Sequence, residues 1–420
     1  MPFSSLGLSP ALLRAVNARA YRAPTPIQVE AIPAILQGRD LLGSAQTGSG
    51  KTAAFSLPLL QQLENRPLEN PRRARALILV PTRELSAQVG EEIRSLAQHL
   101  ARTLKVSIVF GGVSINPQMM RLRGGTDIVV ATPGRLLDLV NHNALELASV
   151  TTLVLDEADR LLDLGFSEEL ARLLKLLPAQ RQNLFFSATF PPAVQALAQQ
   201  MLRDPVRVEV LPEPQSAPDI VQRAIAVDAG RRTQLLRHLI GQNRWSRVLV
   251  FVATKHAAEM VADKLRKARI YAEPFHGELS QGKRTQVLAD FKASRLKVVI
   301  ATDVAARGLD IAQLPVVVNY DLPRSAVDYT HRIGRTGRAG ESGVAVSFVS
   351  ADTEAHFRLI EKRQSLSLPL EHVAGFEPLQ SAPLVATAGD GTAIDPATGG
   401  VKGKRPSKKD KLREQAARGQ

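Results

Sequence analysis

The sequence predicts two α/β domains in tandem, each with a mainly parallel sheet, joined by a short linker and followed by a disordered basic tail. Three observations carry this prediction. Short apolar runs alternate with longer amphipathic stretches; the alternation breaks once at a proline-rich segment and then resumes; and the periodicity fades after about Leu366.

In the first half the apolar runs are Ala76–Val80, Val106–Phe110, Ile128–Val130, Leu153–Leu155 and Leu184–Phe186. They are nearly continuous, as in strands buried on both faces of a parallel sheet. Helical patterns such as Leu85–Leu100 and Glu168–Leu177 lie between them. LPEPQSAPD, Leu211–Asp219, carries three prolines and few apolar residues, so it reads as a linker. Beyond it Val248–Val252, Lys297–Ile300 and Val316–Val318 read as strands, and Ala257–Arg269 and Gln281–Ala293 as helices. The expected boundaries are 1–211, a linker at 212–219, 220–366, and a tail at 367–420.

The bulk numbers fit this plan. A chain of 420 residues holds two to three domains. Fifty-four Lys and Arg face 40 Asp and Glu, for a net charge of +14, which favours a polyanionic partner. The final stretch from Val401 has eight basic residues against two acidic ones; it reads as capture of such a polyanion or as a solubilising tail. Cysteine is absent, which excludes disulfides, thiolate zinc sites and cysteine nucleophiles. MPFSSLGLSP lacks the pattern of a signal peptide, and no apolar run reaches the ~18 residues of a membrane helix. A soluble cytoplasmic protein without a membrane partner is the expectation.

The strongest chemical signal is AQTGSGKT: Ala45, Gln46, Thr47, Gly48, Ser49, Gly50, Lys51 and Thr52. It follows the phosphate-loop rule with Ala in place of the first glycine. Small residues let backbone N–H groups turn around phosphates, Lys51 reaches the β- and γ-phosphates, and Thr52 offers a hydroxyl to Mg²⁺. LVLDEAD, Leu153–Asp159, is an apolar strand ending in acids. Asp156 suits Mg²⁺, and Glu157 suits the orientation of an attacking water. HRIGRTGR, His331–Arg338, sets three arginines among glycines, and arginine forks onto phosphate oxygens.

Asp156-Glu157-Ala158-Asp159 is the signature of the DEAD-box RNA helicases, and the chain over about residues 3–350 resembles that family, with its motifs in order. The resemblance implies two tandem RecA-like domains, ATP and Mg²⁺ as cofactors, and RNA as partner, both single strands and short duplexes. RAPTPIQ is similar to the motif that reads adenine, so Gln28 would select ATP. Phe3 stands either where the family packs an aromatic on the base or simply in the core. Ser187 and Thr189 of the SAT motif would bond Asp159 and couple the nucleotide site to strand separation. Arg335 and Arg338 match the family's arginine fingers, and His331 and Arg332 would contact motifs that couple the domains. ATDVAARGLD places Asp310 at the ribose hydroxyls, with Asp303 and Arg307 bonding toward the finger loop. RNA contacts are implied for Pro81, Thr82, Arg83, Gly111, Gly112, Thr132, Gly134 and Arg135 on the first domain. On the second they are implied for Thr254, Gln281, Arg284 and Thr302.

Aromatic residues make up 4% of the chain, few for a protein that stacks bases on rings, so recognition of the sugar–phosphate backbone with little sequence preference is expected. The family's unwinding is local and non-processive, and closure of the two domains would assemble the active site. Ribosomal or RNA-decay assemblies are further partners the resemblance admits, and the motif pattern is most similar to the bacterial RhlE-type branch. An ATP-gated RNA clamp shares the same motifs; a DNA helicase and a small-molecule kinase fit them less well.

Overall fold

The computed structural model describes residues 1–45, 48–67, 69–210, 220–306, 314–337 and 342–379. The linker expected at 212–219 and the basic stretch from Val401 lie outside them. Among the described residues no helix is long and apolar enough to cross a membrane.

Among the described residues fourteen strands form two sheets. In the first lobe they are β1 (Leu41–Ser44), β2 (Ala76–Leu79), β3 (Val106–Val109), β4 (Ile128–Ala131), β5 (Thr152–Leu155), β6 (Gln182–Ser187) and β7 (Val206–Glu209). In the second they are β8 (Ile220–Ala226), β9 (Val248–Val252), β10 (Ala272–Phe275), β11 (Val298–Thr302), β12 (Val316–Asn319), β13 (Gly343–Val349) and β14 (Leu370–Glu371). The first sheet runs β3-β4-β2-β5-β6-β1-β7 and the second β10-β11-β9-β12-β13-β8-β14. The second order is the first with each number raised by seven, so the lobes share one topology. All twelve strand pairings are parallel.

The apolar runs split by alternation onto two covered faces. Ala76, Ile78 and Val80 pack with the N-terminal helices, while Leu77 and Leu79 pack on the opposite face. Val248, Val250 and Val252 likewise part from Leu249 and Phe251. A side chain of this kind, fully removed from water, contributes about 1.5–3 kcal/mol. That is why these strands read as unbroken apolar segments. Parallel strands also gather their C-terminal ends on one rim of each sheet, where ligands bind in open α/β folds.

The chain departs from expectation after Leu366. Residues 367–379, assigned to the tail, belong to the second lobe. Leu366, Leu368 and Leu370 pack against the cluster around Tyr329 and Phe357. β14 extends the sheet beside β8, and Glu371 pairs with Arg223 at 2.5 Å. Three alternating leucines were enough to continue the core, although the stretch carries no helical period.

Candidate nucleotide and nucleic-acid site

The phosphate-loop segment leaves β1 at Ala45 and enters the helix Lys51–Glu64. Ala45 is buried and donates from its N–H to the Ser187 carbonyl at 3.2 Å. Lys51 folds back, 6% exposed, and donates from Nζ to the Ala45 carbonyl at 2.9 Å. Gly48 and Gly50 have φ of 86° and 91°, a left-handed conformation that glycine adopts without strain. Ser49 sits in this turn and Thr52 in the first helical turn; Gln46 and Thr47 lie outside the described residues.

Gln28 joins this loop to the helix Pro26–Leu36. Its Oε1 accepts from the Thr25 N–H at 3.0 Å, and its Nε2 donates to the Gly50 carbonyl at 3.1 Å. A Cβ on Gly50 would stand 2.5 Å from that Nε2, so the contact demands glycine. Each amide atom of Gln28 keeps one further hydrogen-bonding position for a ligand. Phe3 is 6% exposed in the core and stacks on Tyr21 with ring centroids 6.5 Å apart, which accounts for its burial by packing alone.

The acids at the end of β5 form a buried group. Asp156 is 3% exposed. Burial, reinforced by Glu157 and Asp159 and opposed by Lys51, pushes its carboxyl up to about 6. Glu157 has φ 53°, an uncommon value for a residue with a side chain. Its Oε2 is buried without a hydrogen bond, although Arg160 Nε lies 3.5 Å away. Asp159 links to the SAT segment at three points. Its N–H donates to Ser187 Oγ at 3.2 Å, and its Oδ2 accepts from the Thr189 N–H and hydroxyl at 3.0 and 2.8 Å.

On the second lobe the helix Ala326–Ile333 carries His331 and Arg332, and Arg335 follows it. Arg332 grips Asp303 with two bonds of 2.6 and 2.7 Å. It also donates to Asn319 Oδ1 and to the Asp321 carbonyl, and lies over the Phe251 ring. Arg332 is therefore held within its own lobe. Burial, then the charge of first-lobe Arg160, lowers the His331 pKa to about 4, with Asp159 opposing and Arg335 adding. Arg335 is 7% exposed. Arg307, Asp310 and Arg338 lie outside the described residues.

The remaining first-lobe residues collect at the ends of β2, β3 and β4. Pro81 is buried, and Thr82 caps the helix Arg83–Ala97 by accepting from the Leu85 N–H at 3.2 Å. Arg83 reaches toward the Gly112 carbonyl at 3.5 Å, so closely that a Cβ on Gly112 would meet its Nη2. The Gly111 N–H donates to Thr132 Oγ1 at 3.3 Å. Arg135 donates to the Val113 carbonyl at 2.7 Å; its buried Nε and Nη1 make no hydrogen bond, although Asp138 Oδ2 lies 3.5 Å from Nε. Gly134, in the first turn of the helix Pro133–Asn141, has open space where a side chain would stand.

Across on the second lobe, Thr254 caps the helix Lys255–Lys267, Thr302 ends β11, and Gln281 opens the helix Gln281–Lys292. Gln281 has a buried Oε1 without a partner. Arg284 departs from its expected place on an RNA backbone. It is 4% exposed and bonds Glu84 of the first lobe at 2.7 Å and the His276 carbonyl at 2.9 Å, while its guanidinium covers Phe275. Arg83 feels it: burial lowers the Arg83 pKa, and the charges of Arg284 and Arg135 lower it further. Glu84 and Arg160 are the site residues that motif reading passed over, although each directly follows a residue it chose.

The DEAD/DEAH box helicase profile matches residues 25–197, and the helicase conserved C-terminal domain profile matches 231–340. The ATP-dependent rRNA helicase rrp3 of Sclerotinia sclerotiorum is 41% identical over 383 residues, 90% of this chain and 78% of that protein. The ATP-dependent RNA helicase CshA of Listeria monocytogenes is 40% identical over 86% of this chain and 68% of its own length. Among solved structures, S. cerevisiae Dbp5 bound to RNA and ADP BeF3 is similar with a TM-score of 0.77 and 31% identity, covering 90% of this chain and 95% of that one. With both conserved halves matched and relatives of this identity spanning most of its length, the chain belongs to the DEAD-box ATP-dependent RNA helicases.

Proposed function

We propose that this chain hydrolyses ATP between its lobes and uses the cycle to open short RNA duplexes, or to remodel RNA–protein complexes, locally and non-processively. The observation that carries this reading is the 2.7 Å bond from Arg284 of the second lobe to Glu84 of the first, which joins the lobe that carries Arg335 to the lobe that carries Asp156 and Glu157. The acids and the finger arginine belong to different lobes, so closure of the lobes completes the site.

In this reading Lys51 leaves the Ala45 carbonyl for the β- and γ-phosphates, and Gln28 spends its remaining positions on the adenine edge. The residues fit a divalent cation: Asp156 is a buried carboxyl beside two further acids, and Thr52 lies in the helical turn that starts at Lys51. Thr52 and Asp156 would hold Mg²⁺ together with the phosphates, and the ion would supply charge neutralisation there. The Oε2 of Glu157, buried without a hydrogen bond, accepts one from the attacking water. The water oxygen bonds to the γ-phosphorus as the bond to the bridging oxygen breaks, and the water's proton leaves with the phosphate. Arg335 takes up the charge that develops, with Arg338 as a second finger; such an arginine is worth about 10³–10⁵ in rate.

RNA lies across Arg83, Arg135 and the turn Gly111–Gly112, held by backbone N–H groups and guanidinium forks on its phosphates. Asp159, Ser187 and Thr189 carry the coupling between the two sites. One relative is named an rRNA helicase, which supports ribosomal RNA as a target class. A cytoplasmic location goes with this role. The test is strand release from RNA duplexes of increasing length at saturating ATP. Local opening predicts release that falls steeply with duplex length. Equal rates for short and long duplexes would contradict it.

A further inference from the structure

A groove of about 430 Å³ runs along the outer edge of β3, between the helices Arg83–Ala97 and Asn116–Leu122. β3 ends the first lobe's sheet, so among the described residues this edge has no neighbouring strand. Half of its outward backbone groups are nonetheless taken by side chains. Arg94 donates to the Val106 carbonyl at 2.9 Å, and Gln118 accepts from the Phe110 N–H and donates to its carbonyl at 3.1 and 3.0 Å. Lys105 and Val109 point their carbonyls at β4, so the outward groups left along this edge are the Val106 N–H and the N–H and C=O of Ile108. Side chains that cap an edge in this way oppose the addition of a peptide strand.

The groove is also basic. Arg94, Lys105 and Arg121 line it against a single acid, Glu91, which Arg94 already pairs at 2.5 Å. Its upper end is Phe110, the residue before Gly111–Gly112. We propose that the β3-edge groove is an accessory RNA track, which takes the phosphates of a single strand as it leaves the Gly111–Gly112 turn. The proposal rests on the reading of that turn as an RNA contact. Six residues of extended chain span about 16–20 Å, long enough for Lys105 and Arg121 to meet phosphates beyond those held in the cleft. These contacts are with the backbone, so the track adds affinity with length and not with sequence.

The experiment uses the full chain and two labelled single-stranded RNAs. One just spans the lobes; the other carries several extra nucleotides, added at either end in separate preparations. Affinities are measured against salt, with a non-hydrolysable ATP analogue, for the unaltered protein, for Lys105→Glu with Arg121→Glu, and for Arg121→Glu alone. Arg207→Glu, exposed on the opposite edge strand β7, controls for net charge. The expected result is tighter binding of one extended RNA, with that length advantage cut about 5–10-fold in the double variant and less in the single one. The salt slope for the extended RNA should fall by about 1.4, at about 0.7 per lost phosphate contact on a single strand. The track is overturned if extension at neither end tightens binding, if both RNAs weaken equally, or if Arg207→Glu has the same effect. Failure of the unaltered protein to bind even the short RNA would instead remove the underlying reading of the turn.

Discussion

Arg284 donates from Nε to Glu84 Oε1 at 2.7 Å, joining two residues 200 positions apart on opposite lobes, with side chains 4% and 9% exposed. Breaking a buried pair by removing one partner leaves an uncompensated charge and costs about 3–5 kcal/mol. Glu84→Ala and Arg284→Ala are each expected to weaken contact between the lobes and lower RNA-stimulated ATPase by about tenfold or more. The double variant should lose less than the sum, with a coupling of about 0.5–3 kcal/mol. Thermal unfolding and a fluorescence distance across the lobes measure this; strictly additive losses would show that the pair does not couple them.

Asp156 carries a stability cost that comes from its burial. Its carboxyl moves from 3.8 to about 6 on folding, chiefly through burial, equivalent to about 3 kcal/mol. The unfolded chain loses this proton first as pH rises, so the penalty is absent below pH 4 and complete above about pH 6. Asp156→Asn should therefore abolish hydrolysis yet raise the melting temperature of the nucleotide-free protein at pH 7, with the gain vanishing toward pH 4. A melt series that shows no gain at pH 7 would contradict the burial account.

His331 acts in the other direction. Its pKa falls from 6.5 to about 4 through burial and the nearby Arg160. As pH drops, the unfolded chain takes up the proton first, so stability is lost between pH 6.5 and 4 and is level above. His331→Gln is expected to flatten that slope. An unchanged slope would mean that other groups set it.

Gln28 binds Thr25 and Gly50 and still offers both a donor and an acceptor, the pair that adenine's N6 and N7 match. Gln28→Ala should raise KM for ATP at least tenfold and shrink the preference over GTP. Gly50→Ala places a Cβ against the same amide and should do so more severely. Competition assays with both nucleotides decide; an intact ATP preference in Gln28→Ala would remove the residue from base selection.

The parts of the fold legible in the sequence are those where burial dictates residue type. β2, β5, β9 and β12 are sealed on both faces and read as apolar runs at once. β7 and β14 were illegible, because VRVE and LE are short, half-exposed edge segments. The phosphate loop and the DEAD acids were legible because their chemistry is local. Glu84 and Arg284 form a pair only after two domains fold and meet, so no spacing announces it. Arg332 was expected to couple domains, yet its bonds to Asp303 and Asn319 are internal to one lobe. Motif membership identified the residue and not its partner.

RNA is expected to close the lobes into an ATPase in which Glu157 orients the water. Steady-state ATP hydrolysis measured without nucleic acid, with single-stranded RNA and with matched DNA, for the unaltered chain and for Glu157→Gln, tests it most directly. The account predicts strong stimulation by RNA, little by DNA, and loss of the stimulated rate in Glu157→Gln with RNA binding retained. Equal rates with and without RNA, or a Glu157→Gln variant as active as the parent, would contradict it.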